Sequence, residues 1–156
     1  MTPLKSHWNP QDLERFSKFE CKTVQHIDCI VWQNQIEPEQ SIEIIDALAI
    51  TWNDASVFVL AANSDGTGMT TYADINQHVS GLESPDPRIR LFRARADATQ
   101  LWKDIVGQTL LKIGLTPDTE QSGQYINDGI VLQFETESRE IKLHPLDGLI
   151  IDYYES

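Results

Sequence analysis

The chain has 156 residues, of which 40% are hydrophobic and 23% charged, enough to bury one core and short for two independent ones. Its eight glycines and seven prolines argue against disorder, and no apolar run approaches the roughly 18 residues of a membrane span. The 24 acids against 12 Lys and Arg leave a formal charge of −12, which repels nucleic-acid phosphates and anionic lipid and attracts cationic partners. The excess is lopsided, because residues 1–86 carry only Lys5, Arg15, Lys18 and Lys22 against most of the acids. An N-terminus without the apolar core of a secretory signal, together with only 2 cysteines, predicts a soluble protein of a reducing cytoplasm.

Asn9-Pro10 reads as a helix start, with Leu13 and Phe16 at helical spacing and an end near Phe19. The β-branched and aromatic run Val24, Ile27, Ile30, Val31, Trp32 predicts a strand over 22–33. A polar loop follows at 34–40. Strands are expected at 42–52, 57–62 and 69–72, with Asn53-Asp54 and Asn63-Ser64-Asp65-Gly66 as the turns. Residues 73–93 form a connector, since Ser84-Pro85-Asp86-Pro87 forbids regular structure. Asp97 then suits the cap of a second helix burying Leu101, Trp102, Ile105 and Val106. Strands are expected at 108–115, 126–135, 139–143 and 149–154.

The second half repeats the plan of the first. At an offset of 82 positions, Asp46 falls on Asp128, Trp52 on Phe134, Ser56 on Ser138, Asp65-Gly66 on Asp147-Gly148 and Tyr72 on Tyr154. An offset of 83 superposes Gln25, Ile27, Ile30 and Trp32 on Gln108, Leu110, Ile113 and Leu115. The predicted fold is therefore α+β. It is a single domain of two similar helix–strand–meander halves, about 9–72 and 94–154, with antiparallel sheet and one helix per half. Each meander has an apolar face that one helix cannot cover, so the halves bury these faces together.

Most candidate chemistry fails on geometry. Cys21, His26 and Cys29 suggest a metal, but on a strand His26 and Cys29 point to opposite faces, and no second Cys or His pair completes a zinc tetrahedron. His144, beside Pro145 and Asp147, falls on Ala62 of the first half, so the repeat does not require it. Residues 63–68 look like a calcium loop only until Ala61 falls on the first ligand position. No catalytic residue, metal or cofactor is assigned on this basis. Trp32, Trp52 and Trp102 sit in apolar periodic contexts and read as core; Trp8 reads as a helix staple or an exposed contact.

Two surfaces survive. Glu37, Glu39, Glu43 and Asp46 form an acidic segment able to steer a basic partner. Arg88, Arg90, Arg93 and Arg95 form a cluster that either clamps an anionic group, because guanidinium binds carboxylate or phosphate bidentately, or pairs with the protein's own acids across the junction between the halves. The leading expectation is a non-enzymatic, cytoplasmic, bacterial protein-binding protein, in its most concrete form an immunity or inhibitor protein against a basic toxin. The second is a small-molecule domain or enzyme with an anionic ligand between the halves, at the arginines. A homodimer through meander edges is a third.

Overall fold

Asn9 opens the first helix as the sequence indicates. Its side chain accepts from the Asp12 N–H at 2.8 Å, and the Asp12 carboxylate accepts in return from the Asn9 N–H at 3.1 Å. With Pro10 at the first helical position, the orphan amides of the opening turn are satisfied locally. This helix, α1, runs Pro10–Phe19 and stops because Glu20 is extended and Cys21 takes a left-handed φ of 75°. The computed structural model describes residues 6–35, 39, 42–62, 68–72, 88–143 and 148–154, and apart from α1 it is mostly antiparallel sheet. No helix among the described residues is long and apolar enough to cross a membrane.

Nine strands follow α1: β1 (Val24–Asn34), β2 (Ile42–Trp52), β3 (Val57–Ala62), β4 (Met69–Tyr72), β5 (Ile89–Arg95), β6 (Leu110–Pro117), β7 (Tyr125–Phe134), β8 (Ser138–Leu143) and β9 (Leu149–Tyr154). The first four form one antiparallel meander and the last four another, while β5 adds to the free edge of β1. The meanders join where Ile45 of β2 pairs with Leu149 of β9. Gly148 makes that junction possible. Its φ is 93°, and a Cβ there would lie 2.7 Å from the Ile45 carbonyl oxygen, so a side chain is excluded by both conformation and backbone contact.

The joined sheet curls into a half-barrel, and α1 ties its two ends. At β4, Asp12 accepts from the Thr71 N–H and hydroxyl, and Arg15 donates to the Thr71 carbonyl at 3.0 Å. At β6, Glu20 accepts from the Ile113 N–H at 3.2 Å, and Thr23 bridges Thr109. Unpaired strand edges are thus occupied by side chains and by the chain leaving the helix. The interior holds Leu48, Ile50 and Trp52 from β2, Phe58 and Leu60 from β3, and Ile130, Leu132 and Phe134 from β7, under Phe16 and Phe19 of α1. Trp8 belongs to this core, its ring edge-on to Phe16 at 4.9 Å. The opposite face of β1–β3 carries a second cluster of small residues, Ala47, Ala49, Val59 and Ala61 with Ile30.

Three expectations change. The second helix is absent. Residues 97–107 are a succession of turns, because Asp97 gives its carboxylate to the Ile27 N–H of β1 at 2.6 Å instead of capping its own segment. The Thr99 hydroxyl also bonds back to the Ala96 carbonyl, and Gly107 ends the segment at φ 94°. Trp102 and Ile105 are buried nonetheless. Second, the end of the proposed connector and the arginine run form β5, in register with β1 from Ile89 opposite Asn34 to Arg95 opposite Asp28. Third, Val24 lies opposite Trp52 and Leu110 opposite Phe134, each beside a bulge. If Trp52 matches Phe134, it is Val24 that matches Leu110, not Ile27.

Candidate functional site

The structure distributes the two sequence-derived surfaces differently. On the outer face of β1, the buried carboxylate of Asp28 accepts from Arg93 Nη2 at 2.9 Å and Arg95 Nε at 2.8 Å. Burial pushes this carboxyl up, but the two guanidiniums outweigh it and hold Asp28 below its ordinary range. His26 Nδ1 lies 2.7 Å from Asp97 Oδ2 and 2.8 Å from Arg95 Nη1. Only one of these contacts is a hydrogen bond at a time, since Nδ1 donates to the carboxylate or accepts from the guanidinium. Arg93 and Arg95 are therefore committed to an internal acid, which weighs against an anion clamp. Arg88 is exposed, and the Arg90 side chain lies outside the described residues.

Beside this pair, burial foremost and the Asp28 charge second push the Cys29 thiol up to about 11. Cys21 is exposed. Alkylation near pH 8 is expected to add one group, at Cys21, to the native chain and two after denaturation, because the thiolate is the nucleophile. Intact mass before and after unfolding reads this directly. Two adducts on the native chain would contradict the burial of Cys29.

The acidic segment faces solvent more freely. Glu39 and Glu43 are exposed, and Glu43 accepts from the Gln33 amide at 2.7 Å. No cation among the described residues pairs with either. Asp46, half-buried on β2, lies close enough for its charge to help raise the Tyr72 phenol. Glu37 lies outside the described residues, as do His144, Pro145, Asp147 and the turn Asn63-Ser64-Asp65-Gly66.

A third place, unmarked in the sequence, is a polar cleft of about 350 Å³ where β4 and β7 meet the start of α1. Its wall includes His7, Asp12, Thr70, Tyr72 and Asn127. His7 Nε2 is 2.7 Å from Asp118 Oδ2, and the carboxylate can only accept, so Nε2 carries the proton. Asn127 donates from Nδ2 to the Met69 carbonyl at 2.8 Å. Its Oδ1 is buried with no partner. The amide is pressed against Gly68, where a Cβ would overlap it. Burial first, then the charges of Asp46 and Asp12, push the Tyr72 phenol up, so it stays protonated. Among the described residues no three His, Cys, Asp or Glu side chains converge as metal ligands.

No protein-family model, curated protein or solved structure matches this chain. The site must be read from its own chemistry. The cleft lies between the two meanders, where the small-ligand expectation placed a pocket, but among the described residues that line it none is arginine or lysine. Sequence reasoning left His7 alone because its partner, Asp118, is 111 positions away. Asn127 carries no motif at all.

Proposed function

We propose that the protein is a non-enzymatic binding protein that engages a basic partner protein through its acidic surface, with inhibition of a basic toxin in the cytoplasm of a bacterium as its most concrete form. The observation that carries the reading is that Glu39 and Glu43 stand in solvent without a cation among the described residues, in a chain of net charge −12. Arginines that might have offset them, Arg93 and Arg95, are bound to buried Asp28. Unpaired surface charge of one sign accelerates encounter with the opposite sign and does little for stability. The similar connectivity of the meanders, with Trp52 and Phe134 each beside a bulge, supports reading them as copies of one unit.

Capture from native lysate at low and high salt, with bound proteins identified by mass, supplies the partner for the test. Replacing Glu37, Glu39 and Glu43 together by Gln is expected to slow its association by about tenfold or more at low salt, with the difference shrinking as salt screens the field. An unchanged association rate would remove the acidic segment from the mechanism.

A further inference from the structure

We infer that the basic partner docks on the open edge of β9, Ile150–Tyr154, as an extended segment reading apolar, basic, apolar at alternate positions. The inference rests on the function proposed above and names the surface where it acts. β8 flanks β9 along all six of its residues, whereas β2 meets the other side only where Ile45 pairs with Leu149. No other strand among the described residues pairs with this edge. Ile150, Tyr153 and Tyr154 are exposed on it, and among the described residues only Leu111 is another large hydrophobic side chain so exposed. An unpaired edge with apolar side chains is a template for an added strand. The other edges suit a basic strand less. β4 gives the Thr71 N–H to Asp12 and its carbonyl to Arg15. β6 gives the Leu110 carbonyl to the Cys21 N–H and the Ile113 N–H to Glu20. β5 is open, but a basic strand there would lie against the half-exposed guanidiniums of Arg93 and Arg95.

Charge selects the occupant. Asp152 lies opposite Glu140 across the β8–β9 pair, and like charges so placed repel. Lys142 answers Glu140 at 3.1 Å, while no cation among the described residues pairs with Asp152. Its carboxylate accepts from the Tyr153 N–H at 2.8 Å and stands exposed. Ile150 and Tyr154 lie two residues to either side, so strand alternation puts apolar, acid, apolar on one face. A complementary strand sets a basic side chain beside Asp152 and apolar ones beside Ile150 and Tyr154. β9 is antiparallel to β2, so it runs from the junction toward the start of β2, the side on which exposed Glu43 precedes Ile45. A second copy docked edge to edge would instead bring Asp152 against another acidic edge, in a chain of net charge −12.

Tyr153 is held in place before anything binds. The Arg139 guanidinium lies over its ring at 4.4 Å, and its hydroxyl donates to the Gln100 carbonyl at 3.3 Å. Arg139 is itself buried and fixed by the Leu101 and Ser138 carbonyls and by Glu137. The ring borders a hollow of about 200 Å³, walled also by Thr136 and Tyr154, that receives a side chain of the docked segment. An aromatic side chain ordered in advance loses little entropy on contact.

The experiment titrates the ¹⁵N-labelled full chain with a backbone-cyclised β-hairpin peptide whose outer strand reads Thr-Val-Thr-Arg-Thr-Val-Thr. Two control peptides replace its arginine by glutamate or N-methylate its outward-facing amides. Saturable shifts at the amides of Ile150–Tyr154 are expected, weakened by about tenfold or more with either control. Asp152→Lys is expected to weaken the arginine peptide by a similar factor and to strengthen the glutamate peptide, with its thermal unfolding still cooperative. No saturable shift, shifts centred on β5, equal binding of a control, or unchanged binding in folded Asp152→Lys would each overturn the inference. Shifts at the same amides that grow with the concentration of the unliganded chain would overturn it too, by assigning the edge to a second copy. The peptides probe the edge without the captured partner, so the two proposals fail separately. Slower association in the Glu37, Glu39 and Glu43 variant without any peptide shift would sink this inference alone, and the converse result would sink the acidic segment alone.

Discussion

Replacing Arg93 and Arg95 together by alanine is expected to cost about 3 kcal/mol of stability at neutral pH, more than either single replacement. The reason is the acid they leave behind. The side chain of Asp28 is only 2% exposed, whereas those of both arginines are 52% exposed. Removing the arginines strands a buried charge, while removing the acid releases two cations into water. Asp28→Asn, which keeps the shape, should therefore cost less, about 1–2 kcal/mol. The value for the double variant sits near the low end of the range for broken buried pairs, because water can follow the deleted side chains.

The pH dependence separates this account from simple loss of packing. In the intact protein the folded carboxyl of Asp28 lies below its ordinary value of 3.8. The unfolded chain then binds the proton first, so this contribution is present above 3.8 and is lost as pH falls through the folded value. In the double variant the sign reverses. Burial remains and the guanidiniums are gone, so Asp28 moves up and the folded state takes the proton first. The stability gap between intact protein and variant should be widest at neutral pH and narrow toward about pH 4. Urea unfolding at the two pH values measures it, and a gap of constant size would mean that Asp28 is not the cause.

Much of this fold was legible because its punctuation is local. Asn9-Pro10 starts α1, and β2, β3, β4 and β9 have the bounds that turn residues and apolar runs predict. What escaped depended on partners distant in sequence. Asp97 is a good cap residue by type, but Ile27 and His26 claim its carboxylate and residues 97–107 never become a helix. The arginine run reads either as a ligand clamp or as cations paired with the protein's own acids, and it hides a strand because the alternation of Arg88-Ile89-Arg90-Leu91 loses its phase at Phe92. Burial of Asp28 was the missing reason for those cations. Bulges in both hairpins break the constant register that an ungapped comparison assumes, so the residue opposite Trp52 is Val24 and not Ile27, as Leu110 is opposite Phe134. The cleft was invisible for a plainer reason. His7, Tyr72 and Asn127 come from three separate segments, and a lone asparagine becomes notable only when its carbonyl is found buried without a donor.

Trp52→Ala should be the most damaging single core substitution, at about 3–5 kcal/mol, against a total of about 5–15 kcal/mol for a domain of ordinary stability. Trp52 is fully buried opposite Val24, and its ring stacks on Phe19 of α1 at 5.7 Å. Its indole N–H has no hydrogen-bond partner. Trp52→Phe removes that unpaired donor along with one ring, so the loss of volume is partly offset, and a cost within about 1.5 kcal/mol is expected. Chemical denaturation of both variants reads the difference. Equal losses would mean that the indole nitrogen is paired and that this part of the core is misread. The consequence reaches the cleft. Phe19 anchors the end of α1, and the start of the same helix carries Asn9 and Asp12 to the cleft wall. Loosening that anchor should release Asp12 from Thr71, so Trp52→Ala is expected to lose hydrogen-exchange protection at the Thr71 amide well below its unfolding temperature while Trp52→Phe retains it. Retained protection in a folded Trp52→Ala variant would show instead that Asp12 keeps its hold on Thr71 without the Phe19 anchor.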